Sequence, residues 1–170
     1  MSEKRKIVII DDEPDLCATV KNNLEAAGEF EVTGVSNPAT AEQTIKQVRP
    51  DLILLDVVMP GRKGTDIVAA LRKDPEFRRT PIIIISGKGE MVYNKKKNEF
   101  KWEPNNKLAK ERGQLPDAKG AEALAAAYGV NDYISKPFTT DILLEVINDV
   151  LAKSKKQVAA PEDDGGGPPV

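Results

Sequence analysis

The sequence predicts an α/β fold in which a parallel sheet carries helices on both faces. Five short segments rich in aliphatic and β-branched residues alternate along the chain with segments whose apolar residues recur at helical spacing. This alternation is typical of a parallel sheet, because each crossover helix packs on one of its faces. Four of the strand-like segments end on or next to an aspartate, a serine or a lysine. A ligand site is therefore expected at the carboxyl edge of the sheet.

The first elements have clear boundary signals. Ile7 to Ile10 is a continuous β-branched run, which suits a central strand buried on both faces. Pro14 can begin the first helix, because its missing N–H would be unsatisfied there anyway, and Gly28 can end it. Phe30 to Val35 is the second predicted strand. Asn37 can then cap a second helix that opens with a proline and runs to about residue 48.

The same alternation continues after the second helix. Asp51 to Asp56 is the third predicted strand, and the short helix that follows Gly64 has an apolar stripe. Pro81 to Ser86 is the fourth strand. Ala118 to Tyr128 is rich in strong helix formers and is the predicted fourth helix, and Asp132 to Ser135 is a short fifth strand.

The composition changes near the C-terminus. Thr139 or Thr140 can cap a last helix with an apolar face. Residues 154–170 contain prolines, glycines and acidic residues that cannot bury a core, so they are predicted to be disordered and too short for an output domain. We expect one domain over residues 1–153, followed by a tail.

The overall composition excludes several classes of function. The net charge of -2 gives no global attraction to nucleic acid or anionic membranes. The chain has no histidine, which excludes histidine-based triads and imidazole metal ligands. Its one cysteine, Cys17, cannot form an internal disulfide, and a buried thiol in the first helix is the favoured interpretation. No apolar run approaches the ~20 residues of a membrane span, so we expect a cytoplasmic protein.

Three carboxylates are expected to meet at the carboxyl edge of the sheet. Asp11 and Asp12 follow the first strand, and Asp56 ends the third. They would repel one another at neutral pH unless a cation lay among them or a proton were shared. Mg²⁺ is the natural cation, since it prefers oxygen ligands. Taken singly, Asp12 could instead cap the first helix and Asp56 could cap the turn that follows it.

The remaining strand ends supply groups that suit a phosphate. Asp56 could attack a phosphoryl donor in line, and Lys136 could reach the phosphate oxygens as a second cation. Ser86 offers a hydroxyl to a further oxygen. Taken singly, Ser86 would be a strand-end hydrogen bonder and Lys136 a surface charge. The interpretation depends on their joint placement.

Four motifs in this order strongly resemble the receiver domain of bacterial-type response regulators. They are Ile9 to Pro14, Asp56 to Gly61 with Gly64, Ser86, and Tyr133 to Phe138. The resemblance covers Lys6 to about Lys153 except for an insertion, and it implies a flavodoxin-like, doubly wound sheet of strand order 2-1-3-4-5. It also implies that a histidine kinase or a phosphotransfer protein phosphorylates Asp56 in a Mg²⁺-dependent reaction. The chain would then catalyse only its own phosphorylation and dephosphorylation.

The resemblance also implies roles for individual residues. Asp11, Asp12 and Asp56 would hold Mg²⁺ together with the backbone carbonyl of Val58. The switch positions would be Ser86, which moves toward the phosphate, and Tyr133, which moves into the space that Ser86 leaves. The peptide bond between Lys136 and Pro137 would be cis and would aim the lysine inward.

Residues 88–117 depart from the family pattern. Ser86 and Lys136 are 50 positions apart, which is about twice what one loop and one helix need. The excess forms an insertion between strand 4 and helix 4 that mixes basic residues with aromatic ones. A partner-binding surface, a solvated hairpin packed on the domain, and a nucleic-acid surface all stay open, the last being the least favoured. A hairpin is predicted over Met91 to Trp102, and a short helix from Asn105 or Asn106 to residue 112.

Three functions compete at this point. The leading one is a single-domain response regulator whose phosphorylation switches its binding to an output protein. The alternative is a phosphorylation-independent interaction module that binds its partner through residues 88–117. An aspartate-based phosphohydrolase is disfavoured, because it would need a second aspartate two residues after the nucleophile, where this chain has Val58.

Overall fold

The computed structural model describes residues 3–56, 59, 61, 64–86, 89–94, 99–104, 129–136 and 138–159. It contains seven strands within these ranges: β1 (Arg5–Ile10), β2 (Phe30–Val35), β3 (Leu52–Asp56), β4 (Ile82–Ser86), β5 (Gly89–Asn94), β6 (Glu99–Pro104) and β7 (Asp132–Ser135). The helices in the described part of the chain are α1 (Pro14–Ala26), α2 (Ala41–Val48), α3 (Gly64–Lys73) and α4 (Thr140–Ala159). From β1 to β4, strands and helices alternate as predicted.

Five parallel strands form the main sheet in the order β2-β1-β3-β4-β7. Because β7 is the fifth strand of the sequence prediction, this order confirms the predicted flavodoxin-like arrangement. Asp56 pairs with Ile85, and Ser86 pairs with Ser135, so the strands end at nearly the same level. The residues that follow them therefore meet at one edge of the sheet.

Alternate residues of the strands contribute to two separate cores. In β1, Ile7 and Ile9 belong to one core, and Val8 and Ile10 belong to the other. The first core also receives the apolar faces of α1 and α4, and the second receives those of α2 and α3. The helices thus lie on both faces of the sheet, as predicted. Ile7 to Ile10 are fully buried, which explains their continuous β-branched run.

Hydrogen bonds at the helix starts confirm two of the predicted caps. The Asn37 side chain accepts from the Ala39 N–H at 3.0 Å and begins a 3-10 turn that leads into α2. The Thr139 hydroxyl accepts from the Ile142 N–H at 3.2 Å, so Thr139 is the capping residue of α4 and Thr140 is its first residue. Gly28 follows α1 with a φ of +89°, a conformation that favours glycine.

The last helix is longer than predicted. α4 continues to Ala159, so the prediction of a disordered tail is wrong for residues 154–159, while residues 160–170 lie outside the described ranges. The segment from Ser154 to Ala159 contains no helix breaker, and Pro161 is the first residue that would disfavour continuation. No described helix, α4 included, is long and apolar enough to cross a membrane.

The insertion contains the predicted hairpin. β5 and β6 pair antiparallel in a two-stranded sheet of their own, with Met91 opposite Trp102 and Tyr93 opposite Phe100. This pairing confirms the hairpin and extends it to Gly89 and Pro104. The predicted helices at 105–112 and 118–128 lie outside the described residues.

Candidate functional site

Three of the predicted site residues meet at the carboxyl edge of the sheet. Asp11 follows β1, Asp56 ends β3 and Lys136 follows β7. The Asp11 residue is completely buried and Asp56 is 4% exposed, whereas Lys136 is half-buried. Buried carboxylates need charged or hydrogen-bonding partners, because desolvation disfavours an isolated charge. The strand ends therefore form an acidic site that needs a cation.

Lys136 supplies one positive charge to this site. Its Nζ lies 2.6 Å from Oδ2 of Asp11 and 3.5 Å from Oδ2 of Asp56. Burial alone would lower the pKa of Lys136, but the hydrogen bond to Asp11 and the negative charges of Asp56 and Asp11 outweigh burial and raise it. The ammonium group is therefore charged at neutral pH and lies between two acidic side chains.

The acidic residues are close enough to share a metal ion as well. Carboxylate oxygens of Asp11, Asp12 and Asp56 all lie within 4.8 Å of one another. Asp12 is half-buried, so the cluster reaches the protein surface. An all-oxygen donor set of this size fits Mg²⁺, which binds through one or two carboxylates and keeps several waters. The fourth predicted ligand, the carbonyl of Val58, lies outside the described residues.

Asp11 is held by four hydrogen bonds. Its N–H donates to the Val35 carbonyl at 3.0 Å, and its Oδ2 accepts from Lys136. Its Oδ1 accepts from the Glu13 N–H at 2.9 Å, and its carbonyl accepts from the Cys17 thiol at 3.3 Å. Glu13, rather than Asp12, is the N-cap residue of α1. The structure thus places Asp12 beside the other carboxylates and not at the cap position.

The thiol of Cys17 is buried, which confirms the sequence interpretation. The residue is 6% exposed. Burial, together with the nearby charge of Asp11, raises the pKa of the Cys17 thiol to about 11. The group therefore stays protonated at neutral pH, and a protonated thiol is a poor nucleophile.

Ser86 and Tyr133 occupy positions on the neighbouring strands β4 and β7. Ser86 is the last residue of β4, and Tyr133 pairs with Ile84 in the register of the two strands. Their roles as switch residues stay predictions. Pro137 lies outside the described residues, and with it the predicted cis peptide bond.

A second half-buried cation, Arg72, was not predicted. It extends from α3, and its Nε donates to the Gly129 carbonyl at 2.8 Å, while an Nη1 donor reaches the carbonyls of Phe77 at 3.1 Å and Thr80 at 2.8 Å. Burial lowers the pKa of Arg72. No local sequence signal identifies this contact, because Gly129 is 57 residues away and an arginine near a helix end is normally assigned to solvent.

Arg72 helps to define where β7 begins. Two residues after Gly129, Asn131 exchanges two hydrogen bonds with Ile82: its N–H donates to the Ile82 carbonyl at 2.8 Å, and its side-chain oxygen accepts from the Ile82 N–H at 3.0 Å. These contacts hold the start of β7 against β4. Because β7 contains four residues, they also set the position of Lys136 at its other end.

The chain is similar in sequence to known proteins. The sequence pattern of the response regulator receiver domain matches residues 7–110. The chain is similar to the phosphate regulon transcriptional regulatory protein PhoB of Rhizobium meliloti, with 30% identity over 153 residues. That match covers 90% of this chain and 55% of PhoB, so the chain spans about half the length of this relative.

Solved structures show the same fold. The chemotaxis protein CheY4 of Vibrio cholerae matches with a TM-score of 0.62 and 22% identity, covering 87% of this chain and 99% of CheY4. A CheY-like receiver domain protein of Methanospirillum hungatei matches with a TM-score of 0.65 and 20% identity, covering 91% and 99%. These identities support the fold alone, whereas the family pattern matches more than half of the chain. The chain therefore belongs to the receiver-domain family of two-component response regulators.

Proposed function

We propose that this chain is a phosphorylation-controlled binding switch, in which Asp56 accepts a phosphoryl group from a histidine kinase or a phosphotransfer protein. The observation that carries the proposal is the placement of Lys136 between the carboxylates of Asp11 and Asp56. A cation 3.5 Å from Asp56 is already within reach of the oxygens of a phosphate on that residue. Membership of the receiver family supports the same assignment.

The transfer itself needs one nucleophile and a way to balance charge. A carboxylate oxygen of Asp56 forms a bond to phosphorus, while the bond from phosphorus to the donor nitrogen breaks and its electron pair leaves with the donor. Asp11, Asp12 and Asp56 would hold Mg²⁺, which when bound supplies positive charge beside the transferring oxygens. Lys136 supplies a further positive charge. The chain acts only on itself, through phosphorylation and dephosphorylation of Asp56.

Phosphorylation would change the electrostatics of this edge of the sheet. It adds about two negative charges and three acceptor oxygens beside Lys136, at the edge where the Ser86 backbone also lies. Two states of the neighbouring segments would then differ in free energy, to the extent that the phosphate interacts differently with each. In the proposed switch, Ser86 and Tyr133 respond to the phosphate, and an output protein binds one of the states. We propose that this signalling takes place in the cytoplasm.

Mass spectrometry of the intact chain tests the proposal. With acetyl phosphate and Mg²⁺, the wild-type chain should gain one phosphate, and Asp56→Asn should gain none because its side chain lacks the nucleophilic carboxylate. Asp51→Asn is the matched control: Asp51 precedes the same strand at the opposite edge of the sheet, where it accepts from the Lys6 N–H at 2.7 Å. It should be phosphorylated like the wild type. A phosphate gain that persists in Asp56→Asn would contradict the assignment.

A second candidate is an interaction module that is independent of phosphorylation and uses residues 88–117. The separate two-stranded sheet of β5 and β6 favours it, since this element is added to the five strands that the family fold requires. Pull-downs with phosphorylated and unphosphorylated protein, repeated with a chain that lacks residues 88–117, separate the two functions. Binding that ignores phosphorylation and is lost with the insertion would favour the module.

A further inference from the structure

We propose that Cys17 is a positioning residue of the acidic site, whose thiol holds the backbone of Asp11 where divalent-cation binding requires it. The inference rests on the proposed function, because it treats Asp11 as a metal ligand. It concerns a residue that neither the motifs nor the chemistry of phosphoryl transfer involves. The thiol itself takes no part in the reaction and contacts no reacting atom.

The contacts of the thiol carry this inference. Sγ of Cys17 lies 3.3 Å from the carbonyl oxygen of Asp11 and 3.9 Å from that of Val35. The Asp11 N–H donates to the same Val35 carbonyl at 3.0 Å. The thiol therefore lies where the ends of β1 and β2 are joined. It connects α1 to the backbone of a buried carboxylate residue.

The hydrogen bonds of Asp11 differ in how freely they can be exchanged. Lys136 contacts both Asp11 and Asp56, so its bond to Asp11 is shared with the residue that would carry the phosphate. The Cys17 thiol and the Glu13 N–H, by contrast, reach Asp11 from the start of α1. They can keep the carboxylate in place when Lys136 turns toward a phosphate, which is what ordering of a metal ligand requires.

Gly34 allows the close approach that this contact needs. A Cβ built at Gly34 would lie 3.1 Å from the Cβ of Cys17, which is tighter than ordinary van der Waals contact. For an alanine to fit at position 34, Cys17 must give way by a few tenths of an ångström. Movement of Cys17 away from β2 is expected to lengthen the bond from the thiol to Asp11 without removing the thiol, which provides a second and independent way to perturb the contact.

Calorimetric titration of the full chain with Mg²⁺ alone tests the proposal. Cys17→Ala should bind Mg²⁺ about three- to tenfold more weakly than the wild type, since hydrogen bonds that orient a metal ligand modulate metal affinity and a thiol is a weak donor. Cys17→Ser retains a donor and should restore most of the affinity. Val20→Ala, one turn further along α1 at a position that is 2% exposed, is the control for packing loss alone. It should lower stability and leave the Mg²⁺ affinity unchanged.

The second perturbation is a double-mutant cycle. Gly34→Ala should weaken Mg²⁺ binding more in the wild-type background than in Cys17→Ala, where the Cβ at position 17 persists but no thiol remains to displace. Equal effects of Gly34→Ala in both backgrounds overturn the proposal. The proposal is also overturned if Cys17→Ala binds Mg²⁺ as tightly as the wild type, or if Cys17→Ser weakens binding as much as Cys17→Ala does. It is overturned as well if Val20→Ala weakens binding as much as Cys17→Ala does.

Infrared spectroscopy tests the contact between the Cys17 thiol and Asp11 in the wild-type chain, without any substitution. Cys17 is the one cysteine of the chain, so its S–H stretching band is unique. The band should lie at the lower frequency of a hydrogen-bonded thiol and shift when Mg²⁺ is added, whereas the frequency of a free thiol overturns the proposal. Failure of the proposed function can be told apart from failure of this inference. If the proposed function is wrong, the wild-type chain gains no phosphate. Failure of this inference is an unchanged affinity in the variants of a wild type that binds Mg²⁺.

Discussion

Lys136 and Arg72 are both half-buried cations, but they lie at opposite edges of the sheet and their pKa values shift in opposite directions. Lys136 contacts two carboxylates at the carboxyl edge, and its pKa is raised although burial opposes the rise. Arg72 donates to three backbone carbonyls at the amino edge, and burial lowers its pKa. Carbonyl dipoles satisfy its hydrogen bonds without a compensating negative charge.

This difference separates a residue of the candidate site, Lys136, from a residue that holds the fold together, Arg72. The partners of Lys136 carry charge, so a metal ion or a phosphate can compete for any of the three groups. The partners of Arg72 are backbone atoms whose positions the fold already determines. Mg²⁺ should therefore change how much Lys136 contributes to the free energy of unfolding and leave the contribution of Arg72 unchanged. Three measurements test whether the two cations differ in this way.

The largest effect is expected for Lys136→Met in metal-free buffer. The substitution leaves the buried carboxylate of Asp11 without its closest cation, and it should cost about 3 kcal/mol of unfolding free energy. Mg²⁺ should restore more stability to this variant than it adds to the wild type, because the metal supplies the missing charge. Denaturant unfolding with EDTA and with Mg²⁺ measures both changes. A loss of stability that Mg²⁺ does not reduce would argue against a shared acidic site.

A smaller effect is expected for Arg72→Met. Removing the guanidinium group breaks hydrogen bonds to three carbonyls and should cost about 2 kcal/mol. The loss should be the same with EDTA and with Mg²⁺, and the folded variant should be phosphorylated like the wild type. The same unfolding series measures the stability, and intact mass measures the phosphorylation. A Mg²⁺-dependent loss would mean that the two edges are coupled.

The smallest effect is the pH dependence of the Lys136 contribution. Because the folded-state pKa of Lys136 is raised above its ordinary 10.5, the stabilisation is complete below that pH and is lost as the pH rises through the folded value. In EDTA, the difference in melting temperature between wild type and Lys136→Met should be constant up to about pH 10 and shrink above about pH 10.5. Other groups that titrate in this range cancel in the difference. A difference that already shrinks near neutral pH would contradict the raised pKa.

Arg72→Met serves as the reference for that titration. Arginine stays protonated throughout this range, so the difference in melting temperature between wild type and Arg72→Met should not change with pH. Using both variants separates the titration of Lys136 from a general loss of stability in alkali.

Much of the fold could be predicted because its signals are local. The continuous apolar run of Ile7 to Ile10 indicates a strand buried on both faces, and the structure buries all four residues. Asn37 and Thr139 cap their helices through neighbours two and three residues away. The end of α4 was predicted too early, since polar composition after residue 153 is compatible with a helix whose exposed turns need no core.

The sequence alone specifies the order of the strands along the chain, the aspartates and the lysine at the strand ends, and the hairpin in the insertion. These follow from periodicity, caps and motif spacing, which act over a few residues. Tertiary packing, in contrast, brings Lys136 closer to Asp11 than to Asp56, the Cys17 thiol to the Asp11 carbonyl, and Arg72 to Gly129. Packing brings these groups together from up to 125 residues apart, and no local pattern encodes which atoms will then be within hydrogen-bonding distance.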